Sequence, residues 1–203
     1  MTSPGSRLCY NRGVAAVRRD STIQSTHHAV VLETERLTLR KLTPGDASFI
    51  LELLNDPSFL RYIGDKGVRT RDDAIDYLTA GPIASYETHG FGLFLVELKQ
   101  TGEPIGICGL LKRDWLDSAD VGFAFLPRFW SRGYAQESAS AVLEFGRDIC
   151  RLSRILAITS PDNTSSIALL TKIGFKFDRV ARWPDERSEI NVFALDAGGP
   201  GEA

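Results

Sequence analysis

A chain of 203 residues, 43% hydrophobic and 25% charged, has the length and apolar content of one soluble domain with a sizeable core. Its formal net charge of -2 leaves no electrostatic footprint for nucleic acid, and no apolar run approaches the roughly 18 residues of a bilayer span, so neither nucleic acid nor membrane is an expected partner. Cys9, Cys108 and Cys150 form no CxxC pair, and His27, His28 and His89 have no HxxxH or HxxE companion; buried reduced thiols, a cytoplasmic location and no metal site are expected.

Residues 1–28 are rich in Ser, Thr and Gly, carry four arginines against the single acid Asp20, and have weak periodicity. Such a leader fits a disordered tail, a transit segment or an upstream start; disorder is the expected state. From Val30 the character changes. Leu37 and Leu39 alternate with Arg36, Thr38 and Arg40, so residues 30–42 predict a half-buried strand. Thr43-Pro44-Gly45-Asp46 then supplies an N-cap, a proline at the first helical position and an acid at the third, ahead of Phe49, Ile50, Leu53 and Leu54 at helical spacing. This helix runs to about Asn55, where Asp56-Pro57 ends it. A second capped start, Thr70 with Asp73, leads through Ala74, Ile75, Tyr77 and Leu78 into a helix that Gly81-Pro82 interrupts.

Three strands are predicted next: from Phe91, from Ile105 after a turn at residues 100–104, and from Asp120 after a polar loop at residues 114–118. They are apolar at nearly every position, which suits a central sheet covered on both faces, and their short turns make them antiparallel neighbours. A helix at residues 136–150 and a short β-branched strand from Arg154 form a crossover of the length that sets the strands of Val121 and Ile155 parallel. A helix at residues 163–173 ends at Gly174, and two strands flank a turn at residues 183–186 before a Gly-rich tail.

Residues 121–137 organise the rest. An apolar strand, Pro127, and a turn through Gly133 and Ala135 open into a helix, so unpaired N–H groups converge at a positive helix terminus that suits a phosphate; an ordinary strand-to-helix corner has the same ingredients.

This stretch resembles the acetyl-CoA signature of the Gcn5-related N-acetyltransferases (GNAT), Gln/Arg-x-x-Gly-x-Gly/Ala, written here Trp130-Ser131-Arg132-Gly133-Tyr134-Ala135. Trp130 departs from the general first position, but an aromatic and Trp before Gly-Tyr-Ala, with Glu137 soon after, is similar to the ribosomal-protein alanine acetyltransferase (Rim) branch. Thr34-Glu35-Arg36-Leu37-x-Leu39-Arg40 with Asp46-Ala47 resembles the same branch, as does Asn163-x-x-Ser166 leading to Lys172-x-Gly174-Phe175. The resemblance spans roughly residues 30–196. It implies a mixed α/β GNAT fold: a central, mostly antiparallel sheet of six to seven strands, with one parallel, splayed pair and flanking helices. The expected domain is 29–197, with a flexible tail at 198–203.

By that resemblance the cosubstrate is acetyl-CoA and the partner an amine, used by a monomer or homodimer. Phe123, Ala124 and Phe125 would offer a backbone edge to the pantetheine arm. Ser131, Arg132, Gly133, Tyr134, Ala135 and Gln136 would offer N–H groups to the pyrophosphate, and Arg128 and Arg132 would meet further phosphates or stay solvated. Asn163 would hold the cofactor arm, cap its helix, or both. Ser166 matches the place of a hydroxyl that protonates the departing thiolate, or is a small residue of a first helical turn. Many relatives place a Glu base and a Tyr acid where this chain has Ile158 and Leu170. Asp120 is the leading substitute base; Glu137, His89 and Glu189 are weaker ones, Glu137 being equally a first-turn acid favoured by the helix dipole. Tyr62, Tyr86 and Trp183 are expected walls for the acceptor. The implied activity is acetyl transfer to a primary amine, of a protein N-terminus or a small molecule. Its rival is a CoA-binding sensor or scaffold with little catalysis.

Overall fold

The computed structural model describes residues 30–184 and 188–196; the predicted leader and tail and part of the turn at residues 183–186 lie outside them. Residues 30–42 are a hairpin rather than one strand. β1 (Val30–Glu33) and β2 (Leu37–Lys41) pair antiparallel. Thr34 folds the chain between them: its N–H donates to the Leu37 carbonyl at 2.9 Å, and its hydroxyl oxygen accepts from the Leu37 N–H at 3.0 Å. The extra strand makes the sheet eight-stranded, one more than the upper expectation.

Thr43 and Asp46 form the expected capping box, a 3-10 turn over Pro44–Asp46 that leads into α1 (Ala47–Leu54). Asp46 also receives the guanidinium of Arg40 at 2.7 Å, and Arg40 reaches Glu97 of the next strand at 2.8 Å, so a 7%-exposed arginine has both charges it needs. Asp56-Pro57 ends α1 as expected and also starts α2 (Pro57–Tyr62), because the Asp56 carboxylate accepts from the Ser58 N–H at 2.8 Å. α3 (Arg71–Leu78) starts at the Thr70–Asp73 box. Gly81-Pro82 does not break the chain: a π turn over Thr79–Ile83 absorbs the missing proline N–H, and α4 (Ala84–His89) follows to Gly90.

β3 (Leu93–Leu98), β4 (Pro104–Leu111) and β5 (Asp120–Phe125) are antiparallel neighbours. α5 (Tyr134–Asp148) crosses to β6 (Arg154–Thr159), and α6 (Thr164–Lys172) leads to β7 (Lys176–Arg182) and β8 (Glu189–Asp196). The strand order is β1-β2-β3-β4-β5-β6-β8-β7, and β5–β6 is the parallel pair. α5 covers one face, its Gly146 lying so close to Leu110 and Ile155 that a Cβ would stand 3.1 and 2.8 Å from them, and Phe145 meeting Phe94 edge-on. Cys108 is fully buried, which pushes its thiol up to about 12, whereas Cys150 is half-buried rather than in the core; Cys9 lies outside the described residues. No helix among the described residues is long and apolar enough to cross a membrane, and no three of their His, Cys, Asp or Glu side chains are placed to hold a metal ion.

Candidate active site

After β5 the chain makes a 3-10 turn over Pro127–Phe129 and enters the cradle with Ser131 at φ +60° and Gly133 at φ +82°. Left-handed backbone at Gly133 is cheap only without a Cβ, and it turns the chain straight into α5. The Glu137 N–H makes a helical bond to the Gly133 carbonyl at 3.0 Å. The N–H groups of Tyr134, Ala135 and Gln136 therefore stand ahead of the helical ladder at the positive end of a 15-residue helix. Arg132 and Arg128 lie over the Phe129 ring at 5.9 and 5.0 Å, and Arg128 pairs with Glu52 at 2.7 Å with both side chains half exposed.

Beside the cradle the sheet forks. β5 and β6 are in register at one pair only, Asp120 opposite Leu156, tied by the Leu156 N–H to the Ala119 carbonyl at 2.9 Å. Beyond that point the strands separate toward Phe125 and Thr159. The Leu126 N–H points the other way, to the Ile105 carbonyl on β4 at 3.1 Å. Strand alternation therefore turns the backbone groups of Val121, Phe123 and Phe125 into the fork and those of Ala124 onto β4. Of the three edge residues expected, Phe123 and Phe125 face the gap and Ala124 does not. Trp130, the departure at the first signature position, donates its indole N–H to the Phe125 carbonyl at 2.7 Å, so this carbonyl is already engaged at the fork mouth.

Asp120 lies at the closed end. Its partner across the ladder is Leu111, next to the Leu110 that touches α5, so its side chain is on the face away from α5. It is 1% exposed; Oδ1 accepts from Arg113 Nε at 2.9 Å, and Oδ2 has no hydrogen-bond partner among the described residues. Burial pushes its carboxyl above the ordinary range, and the Arg113 cation pulls in the opposite direction without cancelling the shift. Arg113 in turn lies 5.2 Å over the Trp183 ring, which meets Trp115 edge-on at 5.4 Å. Past the open end, Asn163 caps α6 by accepting the Ser166 N–H at 3.1 Å, and half-buried Ser166 sits in the first turn. From Leu156 to the end of β6 is three residues, roughly 10 Å. The fork therefore separates Asp120 from the Asn163–Ser166 turn instead of bringing them together.

Residues 36–176 match a family model described as an acetyltransferase (GNAT) domain. The chain belongs to the GNAT family of acetyltransferases. An uncharacterized N-acetyltransferase YoaA of Bacillus subtilis is 32% identical over 155 residues, 75% of this chain and 86% of that one. The fold is similar to the acetyltransferase of Agrobacterium tumefaciens (TM-score 0.70, 26% identity, 81% of this chain and 92% of that one). It is also similar to RimL, a ribosomal L7/L12 alpha-N-protein acetyltransferase solved with coenzyme A (TM-score 0.71, 15% identity, 83% and 98% covered).

Within this GNAT domain the two apolar replacements have structural duties. Ile158 packs against the cluster of Leu116, Leu156, Val192 and Ala194, and Leu170 is buried, so neither position offers an acid or base. Among the expected acceptor walls, Trp183 stands beside the partner of Asp120. Tyr86 is a core residue: it is 8% exposed, accepts from the Leu42 N–H at 3.1 Å, donates to the Leu93 carbonyl and stacks on Phe94. Tyr62 is half-buried under Arg61, and Arg61 reaches Asp162 ahead of α6. His89 lines a separate cavity of about 380 Å³ with Tyr77, Ser85, Thr88, Leu111 and Lys112, and Glu189 is exposed at the start of β8. Glu137 is engaged by Thr34 and Arg36.

Sequence reasoning passed over Trp115 as a member of the polar loop at residues 114–118, and over Arg113 just before it. The signal was available in the hairpin register: Leu111 opposite Asp120 places Arg113 just beyond the ladder, on the same side. Thr34 was read only for family likeness and Arg36 only for that and for strand alternation, because their contacts with Glu137 lie 103 and 101 positions away.

Proposed function

We propose that this acetyltransferase moves the acetyl group of acetyl-CoA directly to a primary amine, of a protein N-terminus or a small molecule, in a ternary complex. One observation carries the reading: a left-handed glycine opens α5 beside two parallel strands that are joined at one residue pair and then part. The residues fit acetyl-CoA there. The N–H groups of Tyr134 to Gln136 suit a pyrophosphate, with Ser131, Arg132 and Gly133 shaping the approach. The backbone groups of Phe123 and the N–H of Phe125 face the fork for an extended amide arm, the Phe125 carbonyl being taken by Trp130. Asn163 closes the open side.

The amine nitrogen attacks the acyl carbon, the carbon–sulfur bond breaks, and the sulfur leaves with its electron pair. Aligning the two reactants supplies about 7–11 kcal/mol of the barrier. An alkyl ammonium has a pKa of about 10, so roughly 4 kcal/mol must come from deprotonation at neutral pH. Asp120, about 10 Å from the Asn163–Ser166 turn, takes that proton at Oδ2 by way of intervening water rather than by direct contact; among the described residues this oxygen has no hydrogen-bond partner. Ser166 gives its hydroxyl proton to the departing thiolate and regains one from the attacking nitrogen, which sheds its second proton as the adduct becomes the amide. The products are the amide and the CoA thiol. A cytoplasmic location belongs to the same proposal.

The test is incubation with acetyl-CoA and a panel of amines and N-terminal peptides while free thiol is followed. We expect release that depends on one class of amine. Tight CoA binding with no release for any amine in a broad panel would refute amine transfer.

A further inference from the structure

Glu137 lies in the first turn of α5, where the helix dipole favours an acid but a bound phosphate would repel one. It follows Gln136 directly, so phosphates held by the N–H groups of Tyr134, Ala135 and Gln136 would meet an acid at close quarters. The chain meets this with a separate segment, the β1–β2 turn, about 100 positions earlier (separation 101). Oε1 accepts from the Thr34 hydroxyl and from the Arg36 backbone N–H at 2.9 Å. Oε2 accepts from Arg36 Nε at 2.7 Å and lies 2.6 Å from Nη2. Burial pushes the Glu137 carboxyl up, but the bonds from Thr34 and Arg36 outweigh it and hold the group below its ordinary value. The charge therefore persists at neutral pH, and compensation must come from a cation rather than from protonation.

Arg36 is itself fixed against the cradle. Nη1 donates to the Arg132 carbonyl at 3.0 Å, and the guanidinium lies 4.6 Å over the Tyr134 ring. Nη2 is 3.3 Å from where a Cβ on Gly133 would stand. The side chain remains 44% exposed, against 17% for Glu137, so the cation faces outward and the anion inward. The Thr34-x-Arg36 pair thus explains a motif that the activity itself leaves without a role.

We propose that Arg36 is a positioning residue of the CoA site: it cancels the Glu137 charge and turns that carboxylate toward the β1–β2 turn, so that the head of α5 presents only N–H groups to the diphosphate. The inference rests on the cradle being the CoA site. A clamp that merely holds the hairpin onto the helix would show the same contacts, but the two differ in what happens when both charges are removed.

The experiment is calorimetric titration of CoA into the full chain and into R36Q, E137Q and R36Q/E137Q. R36Q should weaken CoA about tenfold, because it leaves an uncompensated carboxylate beside the phosphates. E137Q should stay within about twofold of the parent, and the double variant should return to within about threefold. The R36Q deficit should shrink as salt is added and should persist with dephospho-CoA, which keeps the diphosphate. With acetyl-pantetheine, which has no phosphate, R36Q should leave KM unchanged. A double variant as weak as R36Q, or R36Q equal to the parent, overturns the proposal. If R36Q does not fold, R36K decides: retained charge should keep CoA within about threefold, and a tenfold loss overturns it. Parent protein that binds no CoA removes the CoA reading of the cradle instead.

Discussion

The two ends of the β5–β6 fork are made of different materials. At the open end the groups we propose for a phosphate are backbone N–H groups, set by one glycine in a left-handed conformation and by the axis of α5. At the closed end the groups we propose for the chemistry are side chains from separate segments: Asp120 from β5, with Arg113 and Trp115 from the β4–β5 loop and Trp183 just after β7 around it. Backbone sites tolerate replacement of most side chains, so Trp130 can stand at the first signature position while the cradle keeps its shape. Sites made of side chains do not survive such changes: Ile158 and Leu170 are packing residues and supply neither an acid nor a base. The two ends therefore differ in how much a single substitution can remove.

Four substitutions sharpen or break that contrast. Gly133→Glu should have the largest effect: a side chain at φ +82° is strained, and it adds an anion where phosphate is held. CoA affinity should fall by at least about 100-fold in a calorimetric titration, and unchanged affinity would break the backbone account. Asp120→Asn should lower kcat/KM by about 100-fold while CoA affinity is kept. Its pH profile is a second readout. A base works only when ionised, so activity should fall as the pH drops through the Asp120 pKa, which burial raises above the ordinary carboxylate range. That acid limb should disappear in Asp120→Asn; an identical limb in the variant assigns it to another group.

Ser166→Ala should reduce kcat about tenfold with CoA affinity retained, as expected of a proton donor with a solvent substitute. A loss of CoA affinity instead would make the Asn163–Ser166 turn part of the cofactor end. The smallest change is expected for Arg128→Ala. Its pair with Glu52 is half exposed, so stability measured by urea unfolding should move by less than about 0.5 kcal/mol. Weakening of CoA beyond about threefold would show that this arginine leaves Glu52 for a phosphate.

Much of the fold was legible because local rules and tertiary packing agree. The capping boxes at Thr43 and Thr70, the stop at Gly174 and the apolar strands all sit where propensity and periodicity put them. Three readings differed for physical reasons. Residues 30–42 alternate across a tight turn without a glycine, since the Thr34 hydroxyl and backbone close it, so two strands read as one. Asp56-Pro57 is as good an N-cap as a stop, and only the chain beyond shows both uses. Pro82 sits inside a π turn that tertiary packing retains.

The sequence by itself determined the cradle, since a glycine before a helix leaves N–H groups unpaired wherever that helix packs. It also determined the order of the elements from β3 onward and the crossover that makes two strands parallel. Only the tertiary structure decided that Arg36 meets Glu137 and that Asp120 Oδ2 has no hydrogen-bond partner among the described residues; the Arg113–Asp120 pair follows from the β4–β5 register. The physical reason is range. Helix and strand signals act over a few residues, whereas the Arg36–Glu137 pair depends on how a turn 101 positions away folds over a helix end.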